Sequence, residues 1–455
     1  MIKQGGIGEN SESMVKWFPM SRNRMRTVAA LILAAACSCC LYASGAGSFR
    51  RHKPADGTPT NKGPAASQPA AFSIPVESLG FSTPGAFYLG ERETLVSLDF
   101  LDENRILFTF RVPGLIHRTV AGEFERQIRA LVLTLPQGSI ETEALWTVHD
   151  RGRYLWMLRD GHFLLRDGDL IKEGDAKLEL RPRLQFPGPL LSLEMDPGQQ
   201  YIVTNSQEPQ DVKSQKGDGL SPATAQADVT VASEKAVDER DIVLRILRRS
   251  TGQVMLVSHV RMAVRLPINA DGYLETLRGT DGRQWILDLN YFTGGSRVLG
   301  RLDSSCQPPV EFVTPDEAIV NACVQQNGRR LVAMSTEGKT LWNAPSPSTQ
   351  IWPLLVTSQN GARVARETMT IDHSIEDFGQ ALDASDIKSQ MVEVYDAIGG
   401  KLALKAYASP ILDAGGNLAI SPSGKRVAVL NGGAIDVYEL PAIESTPQNG
   451  NALAH

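Results

Sequence analysis

Histidine and cysteine are the scarcest chemistry-bearing residues in this 455-residue chain, with 7 and 5 copies. Cys37, Cys39 and Cys40 fall near the start, and His52 and His455 fall in polar tails. The remaining His117, His149, His162, His259 and His373 are dispersed without the short spacings that metal ligation uses. His149 and His162 flank one expected hairpin and read as two unrelated turn histidines rather than a shared metal or proton-transfer site. Haem-attachment and zinc-helix signatures are both missing, and so is a Gly-x-Ser-x-Gly elbow. Gly338-Lys339-Thr340 imitates the end of a phosphate loop, but Ala333 stands where the earlier glycine belongs, so it reads as a turn. Positive charge is not clustered either: 46 basic against 51 acidic residues give a net −5, with no Lys/Arg stripe to track a phosphate backbone. These absences leave no catalytic residue, metal ligand or cofactor to assign, and they argue against nucleic acid as a partner.

What is present begins with an export pattern. Arg22, Arg24 and Arg26 precede an uncharged apolar run over residues 28–41, followed by small residues at 43–46. This is the order of a signal peptide, or of an anchor if it is not cleaved, and residues 1–46 are assigned to it. Leu33-Ala34-Ala35-Ala36-Cys37 resembles a bacterial lipobox, with the Leu four rather than three residues ahead of Cys37, the candidate lipidation site. The expected location is the periplasm or cell surface, with membrane contact only through the N-terminal segment. Cys306 and Cys323 are the two cysteines left in the folded part. They form one disulfide closing a short loop in an oxidising compartment, or they are two buried free thiols on neighbouring strands.

Composition then divides the chain. Residues 47–71 are rich in Pro, Ala, Gly and Thr and read as a flexible linker. Residues 205–240 lack the apolar content to pack and read as a disordered insertion. Residues 374–390 carry Ile375, Phe378, Leu382 and Ile387 at near-helical spacing and read as a short helical insertion. Residues 443–455 form a disordered tail.

Everything else alternates apolar and polar residues over short runs. One unit recurs: an apolar strand, a tight turn on Asn or Gly, a polar residue, and a second apolar strand. Its clearest copy spans residues 418–430 around Gly424; others span 96–110 around Asn104, 145–158 around Gly152, 191–204 around Gly198, 266–277 around Gly272, 319–334 around Gly328 and 354–365 around Gly361. A third and fourth strand often follow, as in residues 391–404. Seven copies over residues 72–442 give roughly 48 residues per repeat, near the ~40 to 50 of a propeller blade.

This pattern resembles the β-propeller superfamily of YVTN, WD40-like and quinoprotein-type repeats. Tyr201-Ile202-Val203-Thr204-Asn205 is similar to the YVTN strand with one extra residue, and the Trp-Asp dipeptide of standard WD40 blades is missing. The expected fold is all-β, a seven-bladed propeller of four-stranded antiparallel blades, closed by a strand from near Phe87 so that no edge is left open. The alternative architecture is two β-sandwiches. Trp146, Trp156, Trp285, Trp342 and Trp352 read as blade packing rather than sugar or quinone stacking. Asp150, Asp160, Asp167, Asp271 and Asp281 read as turn residues.

The resemblance implies an exported binding or scaffold protein that presents a channel mouth or rim to a protein or carbohydrate partner. It also admits an enzyme, quinoprotein-like or a calcium-using lactonase, or a lipid-anchored component of an envelope assembly. Acidic and amide side chains converging from several blades would favour the enzyme; an apolar or aromatic patch would favour the binding module.

Overall fold

The computed structural model describes residues 66–443 except 83–94, 113–116, 119–123, 150–152, 210–239, 281, 283, 325–327, 348, 373–385 and 413–415. Alternation at period two has its plainest consequence in the strand Arg426–Asn431 (β27). Val427 and Val429 point into one neighbouring blade while Ala428 and Leu430 point into the other, and all four are fully buried. A strand apolar on both faces needs a sheet packed on each side. Seven repeats meet that need by closing into a ring.

The ring is a seven-bladed β-propeller. Blade I holds β2 (Ser97–Asp102), β3 (Arg105–Arg111), β5 (Phe124–Thr134) and β6 (Ser139–Val148), with the two-residue β4 (His117–Arg118) added beside β5. Blade II is β7 (Leu155–Met157), β8 (Phe163–Asp167), β9 (Leu170–Gly174) and β10 (Arg181–Gln185). Blade III is β11 (Leu190–Met195), β12 (Tyr201–Pro209), β13 (Arg240–Arg248) and β14 (Val254–Val260). Blade IV has β15 (Gly272–Arg278), β16 (Gln284–Tyr291) and β17 (Ser296–Asp303), and an Ile268–Tyr273 bridge marks its innermost segment. Blade V is β18 (Val310–Thr314), β19 (Glu317–Val324), β20 (Gly328–Ser335) and β21 (Thr340–Ser346). Blade VI is β22 (Gln350–Thr357), β23 (Arg363–Ile371), β24 (Ile387–Asp396) and β25 (Leu402–Ala408). Blade VII is β26 (Leu418–Ile420), β27, β28 (Ala434–Glu439) and, outermost, β1 (Phe72–Pro75).

Seven apolar clusters hold these sheets together, one between each adjacent pair of blades. The cluster between blades VII and I joins Ile74, Phe100, Phe108, Leu430 and Ile435, with Phe81, Phe108 and Phe110 in edge and tilted contacts 5.1–5.7 Å apart.

Five of the seven expected hairpins are the turn between the first and second strands of a blade. The turns at Asn104, Gly198, Gly272, Gly361 and Gly424 all hold this place. Gly424 shows why: its φ is +70°, and a Cβ there would stand 2.9 Å from Arg363 Cγ. The other two are corrected. The pair expected around Gly152 divides between β6 of blade I and β7 of blade II, so it joins blades instead of making a hairpin. The pair around Gly328 is β19–β20, the second and third strands of blade V, whose first turn lies at Pro315-Asp316. Strand periodicity is the same for every strand in a blade and so does not label its place.

Closure also differs from expectation. The closing strand is β1, which pairs Phe72 with Val437 and Pro75 with Ala434, and Phe87 lies outside the described residues. The end of the expected linker is seated: Ser67 N–H donates to Lys405 O (2.8 Å), and Ala66 and Ala70 pack on the core between blades VI and VII. The expected insertion at 205–240 starts later, since β12 continues through Pro209, paired with Arg240. Ile387–Gln390 of the expected helical insertion open strand β24. Residues 1–46, the core of both insertions and the tail beyond 443 lie outside the described residues.

Candidate functional site in the central channel

The innermost strands of all seven blades enclose a cavity of about 790 Å³. Five of the blades place a charged side chain in it: Asp99 (blade I), Arg153 (II), Glu194 (III), Arg265 (IV) and Glu311 (V). Round the ring the signs alternate, so each arginine stands between two carboxylates. Blades VI and VII supply Val356 and Ala419 instead, which makes the site a horseshoe of charge facing an apolar wall.

Arg265 is the keystone. Its Nε lies 2.9 Å from Glu194 Oε1 and its Nη2 3.1 Å from Glu311 Oε2, so one planar guanidinium bridges the blades on either side. Arg153 occupies the equivalent place between Asp99 and Glu194 but is held differently. Its Nε donates to Leu155 O (3.2 Å), its guanidinium lies 5.4 Å from the Trp156 ring centre, and it makes no ion pair among the described residues. Asp99 accepts from Ser97 Oγ at 2.7 Å.

These groups lie deep in the molecule and keep their accessible surface along the channel. Burial pushes Asp99 up to about 6, against the opposing pull of Ser97 and Arg153. It pushes Glu194 up to about 7, countered by Arg265 and assisted by the like charge of Glu311. Glu311 is raised by burial as well, while Arg265 is held further in its charged form, chiefly by Glu311. Two guanidinium groups thus stand among three carboxylates, and burial raises all three acids.

The cavity opens on the face that carries the turns between first and second and between third and fourth strands. Pro197, Gln199, Pro315, Asp316 and Asn360 line it there, and Leu341 and the 76% exposed Ile398 form an apolar lip. Side chains tie neighbouring turns together on this face. Asn269 Nδ2 donates to Pro315 O (3.2 Å), Asn360 Nδ2 to Ser423 O (2.8 Å), and the Ser423 N–H to Glu103 Oε1 (2.6 Å). Gln199 clasps blade II, accepting from the Arg159 N–H (2.8 Å) and donating to Met157 O (3.1 Å) from a left-handed backbone (φ +57°) that favours glycine. Gln359 Nε2 reaches Leu158 O (3.3 Å), and because blades VI and II are not neighbours this bond crosses the mouth.

A buried acid also borders the cavity. Glu317, at the start of β19, is 4% exposed, and its Oε1 has no hydrogen-bond partner among the described residues. Burial pushes its carboxyl up to about 7, offset in part by the Trp342 indole. A carboxyl raised on folding favours the native state while protonated, so stability falls as pH climbs from its ordinary 4.5 toward 7. Asp99 and Glu194 act with the same sign. Glu317→Gln is expected to raise stability at pH 8 by on the order of 2–3 kcal/mol and to flatten this slope. Urea midpoints of both proteins at pH 5 and pH 8 check it; an unchanged difference between the two pH values would refute it.

The residues singled out in the sequence lie elsewhere, with one exception. Cys306 and Cys323 are joined by a disulfide with Cα atoms 5.6 Å apart, tying the segment before β18 to β19. Cys37 lies outside the described residues. His149 and His162 engage different carboxylates: His149 Nδ1 is 2.7 Å from Asp167 Oδ1, and His162 Nδ1 is 3.8 Å from Glu173. Trp146 packs against Phe163 (5.5 Å), and Trp342 stacks on Tyr395 (6.2 Å). Trp156 is the exception, carrying Arg153 in the channel. Gly338-Lys339-Thr340 is the turn into β21. The five ring residues were not anticipated. Aligning the repeats on their first turns would have exposed them, since Asp99, Glu194 and Glu311 each sit four or five residues before that turn.

No family model and no curated relative matches the chain. Solved structures with similar folds include the C-terminal WD40 domain of Sif2, at 12% identity over 76% of this chain and 96% of that one, with a TM-score of 0.36. A chain of the mitotic checkpoint complex matches at 10% identity, covering 88% and 100%, with a TM-score of 0.40. TolB from Acinetobacter baumannii matches at 11% identity, covering 75% and 81%, with a TM-score of 0.35. The propeller assignment rests on the strand order and ring closure described above.

Proposed function

We propose that this protein is an exported, non-catalytic binding module that receives a segment of a protein partner at the mouth of its channel. The observation that carries this reading is the cavity itself, open at the turn face, apolar at the Leu341–Ile398 lip and charged at depth. A protein segment offers both kinds of group on one chain, which suits this gradient better than a carbohydrate does. The export pattern of residues 1–46 and the Cys306–Cys323 disulfide support an oxidising compartment, periplasm or cell surface. Acyl labelling of the chain and of its Cys37→Ser variant tests whether a lipid holds it there.

Selection of a random peptide library on the full chain tests the binding role. The expected result is peptides whose affinity falls at least tenfold in Ile398→Asp. Peptides indifferent to that change, or glycans bound in their place, would overturn the reading. A second reading, an enzyme, draws on Glu194 at about 7 and Asp99 at about 6, values suited to proton transfer near neutrality. Turnover of a bound ligand that is lost in Glu194→Gln would establish it instead.

A further inference from the structure

We infer that a second cavity beside the channel mouth, between blades II and III, receives a carboxylate of the partner segment on Arg159 and Arg249. This rests on the reading that a protein segment sits at the mouth, and it names an acidic group which that segment carries.

The cavity has a volume of about 410 Å³. Three turns of the open face wall it: residues 158–162 between the first two strands of blade II, residues 198–200 between the first two of blade III, and residues 248–250 between its third and fourth. Arg159 and Gln199 line both this cavity and the channel, so the two spaces adjoin. The apolar lip at Leu341 and Ile398 belongs to blades V and VI, on the far side of the ring. A segment laid across the mouth from that lip arrives here.

Charge is the first argument. The hydrogen bonds of Arg159 use only its backbone, and its guanidinium makes no ion pair among the described residues. Arg249 donates Nε to Gln199 O (2.7 Å), which leaves both Nη groups without a partner among the described residues. The acid Glu173 is already matched, with one oxygen 3.8 Å from His162 Nδ1 and the other 3.6 Å from Arg183 Nε. Asp160 alone lacks a cation among the described residues. Two uncommitted guanidinium groups against one uncommitted carboxylate leave positive charge in excess.

Anchoring is the second. Both arginines are fixed to one residue: Gln199 Oε1 accepts the Arg159 N–H (2.8 Å) and Gln199 O accepts Arg249 Nε. The two side chains therefore border the same small space, where a carboxylate, with about four acceptor sites on two oxygens, can meet both forks. Arg248 also borders the cavity but is directed elsewhere, its guanidinium lying 5.5 Å from the centre of the Tyr201 ring, which packs on Phe292 toward blade IV.

Backbone conformation is the third. Asp160 (φ +60°) and Gln199 (φ +57°), two of the four described non-glycine residues in the left-handed region, stand on this wall. Surrounding bonds hold them there, so the wall is set before a ligand arrives and little ordering is left to oppose binding. A singly charged carboxylate suits two guanidinium groups beside Asp160 and Glu173 better than a phosphate, whose charge of nearly two would face both acids.

The test measures, by calorimetry on the full chain, peptides selected from a random library, each remade with Asp and Glu replaced by their amides and, separately, with an amidated C-terminus. The expected result is one carboxylate per peptide whose conversion to amide weakens binding at least tenfold; the two remade forms tell a side chain from a chain end. Arg159→Gln should weaken the acidic peptide at least tenfold and its amide form less than twofold, a coupling that a merely structural role would not produce. Arg249→Lys, which keeps a donor for Gln199 O and loses the fork, should show the same selectivity. Asp160→Asn should strengthen the acidic peptide at least twofold, and Arg248→Gln should change it less than twofold. Circular dichroism melts confirm that each variant is folded. Equal losses in Arg159→Gln and Arg248→Gln would reveal diffuse attraction to a basic surface and overturn the site. Peptides sensitive to Ile398→Asp but indifferent to Arg159→Gln would overturn it too, while leaving the mouth as the binding face. Failure to select any peptide would remove both readings.

Discussion

Ile74→Asp in β1 is expected to unfold the ring or to lower its stability by at least about 4 kcal/mol, the cost of an uncompensated carboxylate in an apolar core. Ile74 is 3% exposed and sits between blades VII and I among Phe100, Phe108, Leu430 and Ile435. Its strand is also the outermost member of a blade whose other three strands lie more than 340 positions later in the chain. Losing β1 leaves β28 as an open edge, so self-association should accompany the loss of stability. Ile74→Ala, a cavity mutation, should cost about 2–5 kcal/mol with the ring still closed. Approach from the other side has the same effect: Gly138, at φ +70°, leaves no room for a Cβ, which would stand 2.5 Å from Ile74 Cγ2. Urea denaturation with size-exclusion chromatography reads both effects. A wild-type midpoint for Ile74→Asp would sink the idea that β1 closes the ring.

Arg363→Met is the second large effect, expected at about 3–5 kcal/mol. The Arg363 side chain is 2% exposed and pairs with Asp396, while its Nη2 donates to Pro441 O beyond β28. Its backbone N–H is bound by Ser358 Oγ (3.0 Å), and its Cγ lies under Gly424, so one residue links blade VI to blade VII. Removing it strands the mostly buried Asp396 carboxylate without its cation. The double variant Arg363→Met/Asp396→Leu should recover most of the loss, because the larger part of the cost is the abandoned charge. A double-mutant cycle in urea decides between this account and simple loss of packing, for which the double variant would be no better than the single.

Both effects depend on contacts between chain segments far apart, and that is where sequence reading stopped. The turns at Gly424, Gly361 and Gly198 were legible because their chemistry is local: a tight turn selects its residues whatever surrounds it. The same local logic misplaced Gly152 and Gly328, which have the right residues between the wrong strands. The cysteine pair was visible as a pair, yet only the seating of β19 beside the segment before β18 brings its Cα atoms to 5.6 Å.

The sequence by itself determined an all-β chain of about seven hairpin repeats, because alternating burial and turn chemistry are written within each repeat. The tertiary structure alone decided which strand closes the ring and which side chains meet at its centre. Asp99, Arg153, Glu194, Arg265 and Glu311 each look in sequence like any solvated charge on a strand. They become one site because Asp99, Glu194 and Glu311 lie on the innermost strands of their blades in the register that turns them inward, where a shift of one residue would have pointed them away, and Arg153 and Arg265 lie on the segments that lead into theirs.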